Sequence, residues 1–267
     1  MSSAPTTEAA GGQPAVRAGA VRESDAPRGV PSCELPGWSE RFGVVAGITT
    51  RGSDASEPFD LGLWGRAPVG EVMGRWRAFR RHHAGFGGFV LAHQVHGTRV
   101  LWHERIEGWL QLEGADGHAT AARGLLLTVT VADCVPVYLV DPRRGALALL
   151  HAGWRGAAGG ILRAGLELLR ERAGSDPRDV VMHTGVGVCG DCYEVGSEVL
   201  SALGLPVDGE GPWHVDIRDR LLAQARWLGI GEATRSAWCT AHDGDRFFSH
   251  RASGGADGRM VAYLGFR

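Results

Sequence analysis

Cys134 and His151 are placed to meet across a hairpin. Val135–Val140 (VPVYLV) and Ala146–Leu150 (ALALL) are two apolar, β-rich runs. Between them lies Asp141-Pro142-Arg143-Arg144-Gly145, with Asp first, Pro second and Gly last, which is a type I turn signal. With Asp141 opposite Arg144 or Gly145, Cys134 falls opposite His151 or one residue off it, and directly opposed residues have Cβ atoms roughly 4.5–5.5 Å apart. A thiolate and an imidazole at that spacing are either a nucleophile–base pair or two ligands of one metal ion. Asp133 precedes the cysteine, and the Gly-rich turn Gly153–Gly160 follows the histidine. Polar residues at strand ends beside such a loop are where sites are commonly built. A catalytic zinc takes a third protein ligand and keeps a fourth position for water. Eleven histidines compete for that place. On spacing alone His96, in Gln94-Val95-His96-Gly97, is no better than His93 or His103.

These side chains need rigid elements to hold them. Phe42–Thr50 (FGVVAGITT), Gly88–Leu91, Val100–His103, Gly124–Ala132 (GLLLTVTVA), Val180–Val188 and Met260–Gly265 read as further strands, with a short one near Arg246–Ser249. Glu71–His83 reads as an Arg-rich helix. The Gly153–Gly160 turn leads into a helix reaching about Arg172, with Ile161, Leu162, Leu166 and Leu169 at helical spacing, and Asp216–Leu228 forms another. Helices and strands alternate only in part and hairpins are frequent, so the expected class is α+β with mixed sheets in a single domain. Residues 1–32 are Ala, Gly, Pro, Ser and Thr punctuated by charge. The first 35 residues are therefore expected to form a disordered tail, and 36–267 one folded domain.

Composition excludes several classes. The 267 residues are 44% apolar and 22% charged, as in globular proteins. No run of about 18 apolar residues predicts a membrane span. The net charge is −2, and nucleic-acid binding normally needs a basic domain. The chain contains no Lys and no Asn, and all 28 basic residues are Arg. Schiff-base and Walker A lysines are thereby excluded. Five cysteines in a chain of this length, with no apolar run of a secretory signal near the start, predict reduced thiols and a cytoplasmic protein.

The motifs GITTRG (47–52), QVHG (94–97), ADG (115–117), ADCVPV (132–137), DPRRGALALLHAGWRG (141–156), CYEVG (192–196) and FFSHR (247–251) together resemble the signature set of one bacterial family. It is the "laccase domain" or "multicopper polyphenol oxidoreductase" family, whose members include the peptidoglycan editing factor and zinc-dependent purine nucleoside phosphorylases. The resemblance runs from about Phe42 to Arg267. It implies that His96, Cys134 and His151 are zinc ligands and the catalytic centre. It also implies an α/β/β/α layered fold and phosphorolysis of adenosine, inosine or methylthioadenosine, together with adenosine deamination. Copper oxidase chemistry is the least favoured reading. Multicopper sites are built from HxH pairs, of which this chain has none, whereas one Cys and two His suit tetrahedral zinc.

Zinc with an open position lowers the pKa of its bound water to about 7, the chemistry that zinc deaminases apply at C6 of adenine. Phosphorolysis needs a phosphate site as well. Arg51 and Arg155, both beside glycines, are candidates to fork onto phosphate oxygens, aided by the helix entry after Gly153. Asp133 is a third candidate for the substrate and phosphate site, it and Glu194 are candidate acid–base or supporting groups, and Trp154 is placed to stack on a purine. The expected partners are thus purine nucleosides and phosphate. A metal-free Cys134–His151 hydrolase or amidase, acting in peptidoglycan precursor editing, is the alternative. Cys189-Gly190-Asp191-Cys192 is a CxxC without a second pair and reads as free thiols at a site rim. His82-His83 reads as a helix-end cap and His118 as a surface or cleft residue.

Overall fold

The computed structural model describes residues 17–26 and 28–267. Its strands are β1 (Arg17–Val21), β2 (Ser24–Asp25), β3 (Ser32–Glu34), β4 (Val44–Thr49), β5 (Gly88–His93), β6 (Val100–His103), β7 (Gly108–Glu113) and β8 (Gly117–Thr120). They continue with β9 (Leu125–Val131), β10 (Val135–Asp141), β11 (Ala146–Ala152), β12 (Val181–Thr184), β13 (Glu194–Val195), β14 (Trp213–His214), β15 (Glu232–Ser236) and β16 (Met260–Phe266). The α-helices are α1 (Trp38–Phe42), α2 (Val69–His82), α3 (Trp154–Gly159), α4 (Ile161–Ala173), α5 (Ser197–Ala202) and α6 (Ile217–Trp227).

Two mixed seven-stranded sheets stack on each other, one ordered β1-β15-β12-β10-β11-β8-β6 and the other β2-β3-β4-β16-β9-β5-β7. Strand alternation decides what each face buries. From β10 and β11, Val137, Leu139, Ala148 and Leu150 face the helices α4 and α6. Tyr138, Val140, Leu147 and Leu149 face Ile48, Val129 and Leu264 of the second sheet. On the outer side of that second sheet, Val72, Trp76 and Phe79 of α2 pack on Phe89, Leu91 and Tyr263. The layers are therefore α/β/β/α, as expected. Each fully buried Leu or Ile contributes about 1.5–3 kcal/mol of transfer free energy. Among the described residues no helix is long and apolar enough to cross a membrane.

Four local expectations differ from the structure. The first is the Gly153–Gly160 turn, which is itself helical over Trp154–Gly159 (α3). The β10–β11 register pairs Asp141 with Ala146 and Val135 with Ala152. The loop thus holds the four residues 142–145, two more than the tightest hairpin, because the Asp141 carboxylate accepts the backbone N–H groups of Arg143 and Arg144. Cys134 is consequently level with Gly153, not with His151. Arg246–Ser249 is not a strand: the N–H groups of Arg246 and Phe247 both donate to the Asp243 carbonyl, closing a turn that buries Phe247 and Phe248. The strand over Val180–Val188 ends at Thr184, where Gly185 N–H turns to the Pro136 carbonyl and Val188 N–H to that of Asp133.

The segment read as a tail is also partly built into the fold. β1 adds in parallel to β15, and β3 pairs with β4. Cys33 is fully buried, and the buried Glu23 carboxylate bridges His183 (3.0 Å) and Ser236 (2.7 Å). Backbone pairing at two sheet edges orders a stretch too poor in apolar residues to order itself. Residues 1–16 of the expected tail lie outside the described residues.

Candidate metal centre and its cleft

The period-2 alternation that buries Leu147 and Leu149 between the sheets continues to His151, and that of Tyr138 and Pro136 continues to Cys134. Both side chains therefore emerge at the open end of the hairpin on the same face. His96 arrives from the loop after β5. One ligand atom from each of the three lies within 4.8 Å of the other two, close to the spacing around a tetrahedral ion held at about 2.0–2.3 Å from each donor. Gly153 leaves the room they use: a Cβ there would stand 3.0 Å from Cys134 Sγ and 3.2 Å from His96 Cδ2.

One carboxylate organises the constellation. Buried Asp116 accepts from His151 Nδ1 at 2.9 Å, so Nε2 is the nitrogen left for a ligand role. The same carboxylate accepts the backbone N–H groups of Val95 (3.2 Å), His96 (2.9 Å) and Gly97 (2.8 Å). These bonds hold His96 at φ 58°, a conformation unusual for a residue other than glycine. Burial would raise the Asp116 carboxyl, but His151 and those amides hold it below its ordinary value. Asp133 also has a positive φ, 81°. Its carboxylate is fully engaged by Thr240 Oγ1 (2.5 Å), Ser249 Oγ (2.8 Å) and Arg251 N–H (2.6 Å). It braces the turn that presents Cys134.

Burial alone would raise the Cys134 thiol, but the neighbouring His151 and then His96 hold it below its ordinary value. Burial would lower His151, but the Cys134 thiolate and the Asp116 carboxylate raise it. Each member of the pair thus favours the charged form of the other. One thiolate, two imidazoles and a carboxylate behind one of them suit zinc, whose catalytic sites use three protein ligands and an oriented second layer.

The centre opens into a cleft of about 460 Å³, within the range of small-molecule sites. Trp64, half exposed, stacks on His93 at 4.6 Å in the cleft wall. Arg155 lies over Trp154 at 4.2 Å, and Arg251 lies 5.1 Å from the Tyr193 ring, all four residues lining the same cleft. Neither guanidinium has an acidic partner among the described residues.

Of the residues singled out from sequence, His96, Cys134, His151, Asp133, Arg155 and Trp154 meet in this cleft. Arg51 does not. Its guanidinium pairs with Asp257 at 2.9 Å and donates to the Gly244 carbonyl, packed over Phe248, so it ties two loops together instead of facing the cleft. Glu194, exposed at β13, lies outside the cleft too. His118 is buried against His103, with 2.9 Å between ring nitrogens, and burial pushes its pKa down to about 3. His83 is likewise buried and neutral, pushed down to about 3 by burial, and is no charged helix cap. The residues missed were Asp116, Tyr193 and Arg251. All three sit inside recognisable motifs (ADG, CYEVG, FFSHR), but nothing local marks which residue of each motif faces the centre.

Residues 45–267 match the family model described as multi-copper polyphenol oxidoreductase laccase. Purine nucleoside phosphorylase YlmD of Geobacillus stearothermophilus is 32% identical over 269 residues, covering 90% of this chain and 95% of that protein. Adenosine deaminase RL5, from an unknown prokaryotic organism, is 34% identical over 190 residues, covering 64% of this chain and 72% of its own length. The crystal structure of YlmD from Geobacillus stearothermophilus superposes with a TM-score of 0.82 at 29% identity, covering 92% of this chain and 99% of that one. Motif set, fold and matched length together place the chain in the multi-copper polyphenol oxidoreductase laccase family.

Proposed function

We propose that this chain is a zinc-dependent purine nucleoside phosphorylase that also deaminates adenosine. The observation that carries the reading is a three-donor centre, His96, Cys134 and His151, at a cleft that also holds exposed aromatic faces and guanidiniums without acidic partners. The names of two relatives, a purine nucleoside phosphorylase and an adenosine deaminase, support it.

Zinc held by those three side chains would supply a Lewis acid with an open coordination position. The chain's own residues divide the remaining work. Phosphorolysis breaks the bond between the sugar C1′ and the purine N9 and joins a phosphate oxygen to C1′. The incoming anion therefore has to be held in the cleft, and Arg155 and Arg251, flanking Tyr193, are the groups free to do so by charge-assisted hydrogen bonds. Trp64 and Trp154 offer flat apolar faces for the base. Asp116 keeps His151 in one tautomer and the His96 loop in place.

The test is turnover of adenosine by the purified protein with and without phosphate, alongside its zinc content. The expected result is adenine and ribose 1-phosphate formed only when phosphate is present, with activity lost on chelation and restored by zinc. Cleavage at the same rate in phosphate-free buffer would overturn phosphorolysis.

A further inference from the structure

A second cluster of donors lies apart from the residues of the first centre. β12 and β15 are adjacent parallel strands, so the turns that follow them leave the same edge of the sheet side by side. The first carries Cys189-x-x-Cys192 and the second Cys239-x-x-His242. One ligand atom from each of these four residues lies within 4.8 Å of all the others. Cys189 Sγ is 3.5 Å from His242 Nδ1, and Cys192 Sγ is 3.3 Å from His242 Nε2. None of the three cysteines is in a disulfide.

Each arm is a hydrogen-bonded turn. The N–H of Cys192 donates to the Cys189 carbonyl at 3.1 Å, and that of Asp243 to the Cys239 carbonyl at 2.8 Å. Such turns set donors three residues apart on one side. The arms are also tied to each other: Thr240 N–H donates to the Gly187 carbonyl at 3.2 Å, and Cys189 N–H donates to Cys239 Sγ at 3.3 Å. An N–H aimed at sulfur favours the thiolate form.

We propose that Cys189, Cys192, Cys239 and His242 bind a second, structural zinc ion. Three thiolates and one imidazole complete a tetrahedral shell with no place left for water, which is the closed pattern of structural sites, and two short Cys-x-x-ligand arms are their usual spacing. Binding involves no redox change: each thiol that is still protonated releases its proton to solvent as its sulfur joins the metal. The filled site carries one net negative charge. Buried Arg218 sits beside it, donating at 2.7 Å to the carbonyl of Trp238, the residue before Cys239.

The position gives the ion a task. Val188 and Tyr193, immediately outside the first pair, line the cleft. Thr240, immediately after Cys239, donates to the Asp133 carboxylate that braces the Cys134 turn. A metal joining the two arms pins the cleft wall against the first centre.

Native mass spectrometry of the full-length protein, purified under reducing conditions, counts the ions directly, and zinc X-ray absorption reads their donors. The wild type is expected to hold two zinc ions per chain. Cys134→Ala is expected to keep one, surrounded by three sulfurs at about 2.3 Å and one nitrogen at about 2.0–2.1 Å. Cys192→Ser is expected to keep one with a single sulfur, and to melt at a lower temperature than the wild type. A wild type holding only the ion that Cys134→Ala removes would overturn the proposal, as would a disulfide among these cysteines under reducing conditions. A wild type holding one ion that survives Cys134→Ala would uphold it while refuting zinc at the first centre. Should Cys192→Ser fail to fold, the wild-type count and the Cys134→Ala spectrum decide the matter.

Discussion

His151 Nδ1 donates to Asp116 at 2.9 Å, and the same carboxylate gathers the amides of Val95, His96 and Gly97. Two donors of the centre, from a strand and from a loop more than fifty residues earlier, are thus set by one buried side chain. Asp116→Asn keeps the shape but replaces one acceptor oxygen with an amide that cannot accept a hydrogen bond. Zinc affinity is expected to fall by about 10–100-fold, read by competition with a chromophoric chelator. Unchanged affinity would show that the carboxylate has no hold on the centre.

Gly153→Ala should damage the same centre from the opposite side. The new methyl would press on Cys134 Sγ and His96 Cδ2 at 3.0 and 3.2 Å. The expected result is a folded protein that binds its first-centre metal weakly and turns over nucleoside at a small fraction of the wild-type rate. Normal kinetics in this variant would mean that the donors move apart without cost.

The arginines separate by what they already hold. Arg155→Ala and Arg251→Ala are expected to raise KM for phosphate at least tenfold, and more than KM for the nucleoside. Each removes a charge-assisted pair, and a tenfold change corresponds to about 1.4 kcal/mol. Arg51→Ala should leave both KM values alone and lower the melting temperature, because its guanidinium is committed to Asp257 and Gly244. Steady-state kinetics with phosphate and adenosine varied separately checks all three.

Metal catalysis and cysteine catalysis are separable through Cys134. With zinc bound, its lone pairs are committed and alkylation by iodoacetamide is expected to be slow. In the stripped protein, the thiolate held beside His151 should react at pH values where an ordinary thiol does not. His96→Ala is expected to reduce activity by orders of magnitude. A stripped protein that is fully active would establish a Cys134–His151 hydrolase instead.

Acid should destabilise the fold through His118. Burial holds its folded pKa at about 3, against about 6.5 for an ordinary imidazole. Between those values the unfolded chain binds a proton that the folded one excludes. Stability from this group is therefore full above pH 6.5 and declines as pH falls toward 3, by up to about 1.4 kcal/mol per pH unit. Thermal melts from pH 7 to 4 should show a shallower decline in His118→Gln than in the wild type. Parallel slopes would place the acid sensitivity elsewhere.

The amino-acid sequence alone determined the β10–β11 hairpin, the helices α2, α4 and α6, and that Cys134 and His151 share the open end of that hairpin, though not the register between them. These follow from turn chemistry and from periods of 2 and 3.6, which are local and survive without knowledge of the rest of the chain. The motif resemblance added His96, which spacing could not distinguish from His93 or His103. Tertiary structure decided everything that depends on which strands lie side by side. It brought Asp116 beneath two donors, turned Arg51 away to Asp257, set Arg251 beside Tyr193, and drew the N-terminal strands onto two sheet edges. It also joined Cys189 and Cys192 to Cys239 and His242, because β12 and β15 are neighbours in the sheet although about fifty residues apart in the chain. No local pattern encodes such neighbours: side-chain direction and strand order are settled only when both sheets bury their shared face.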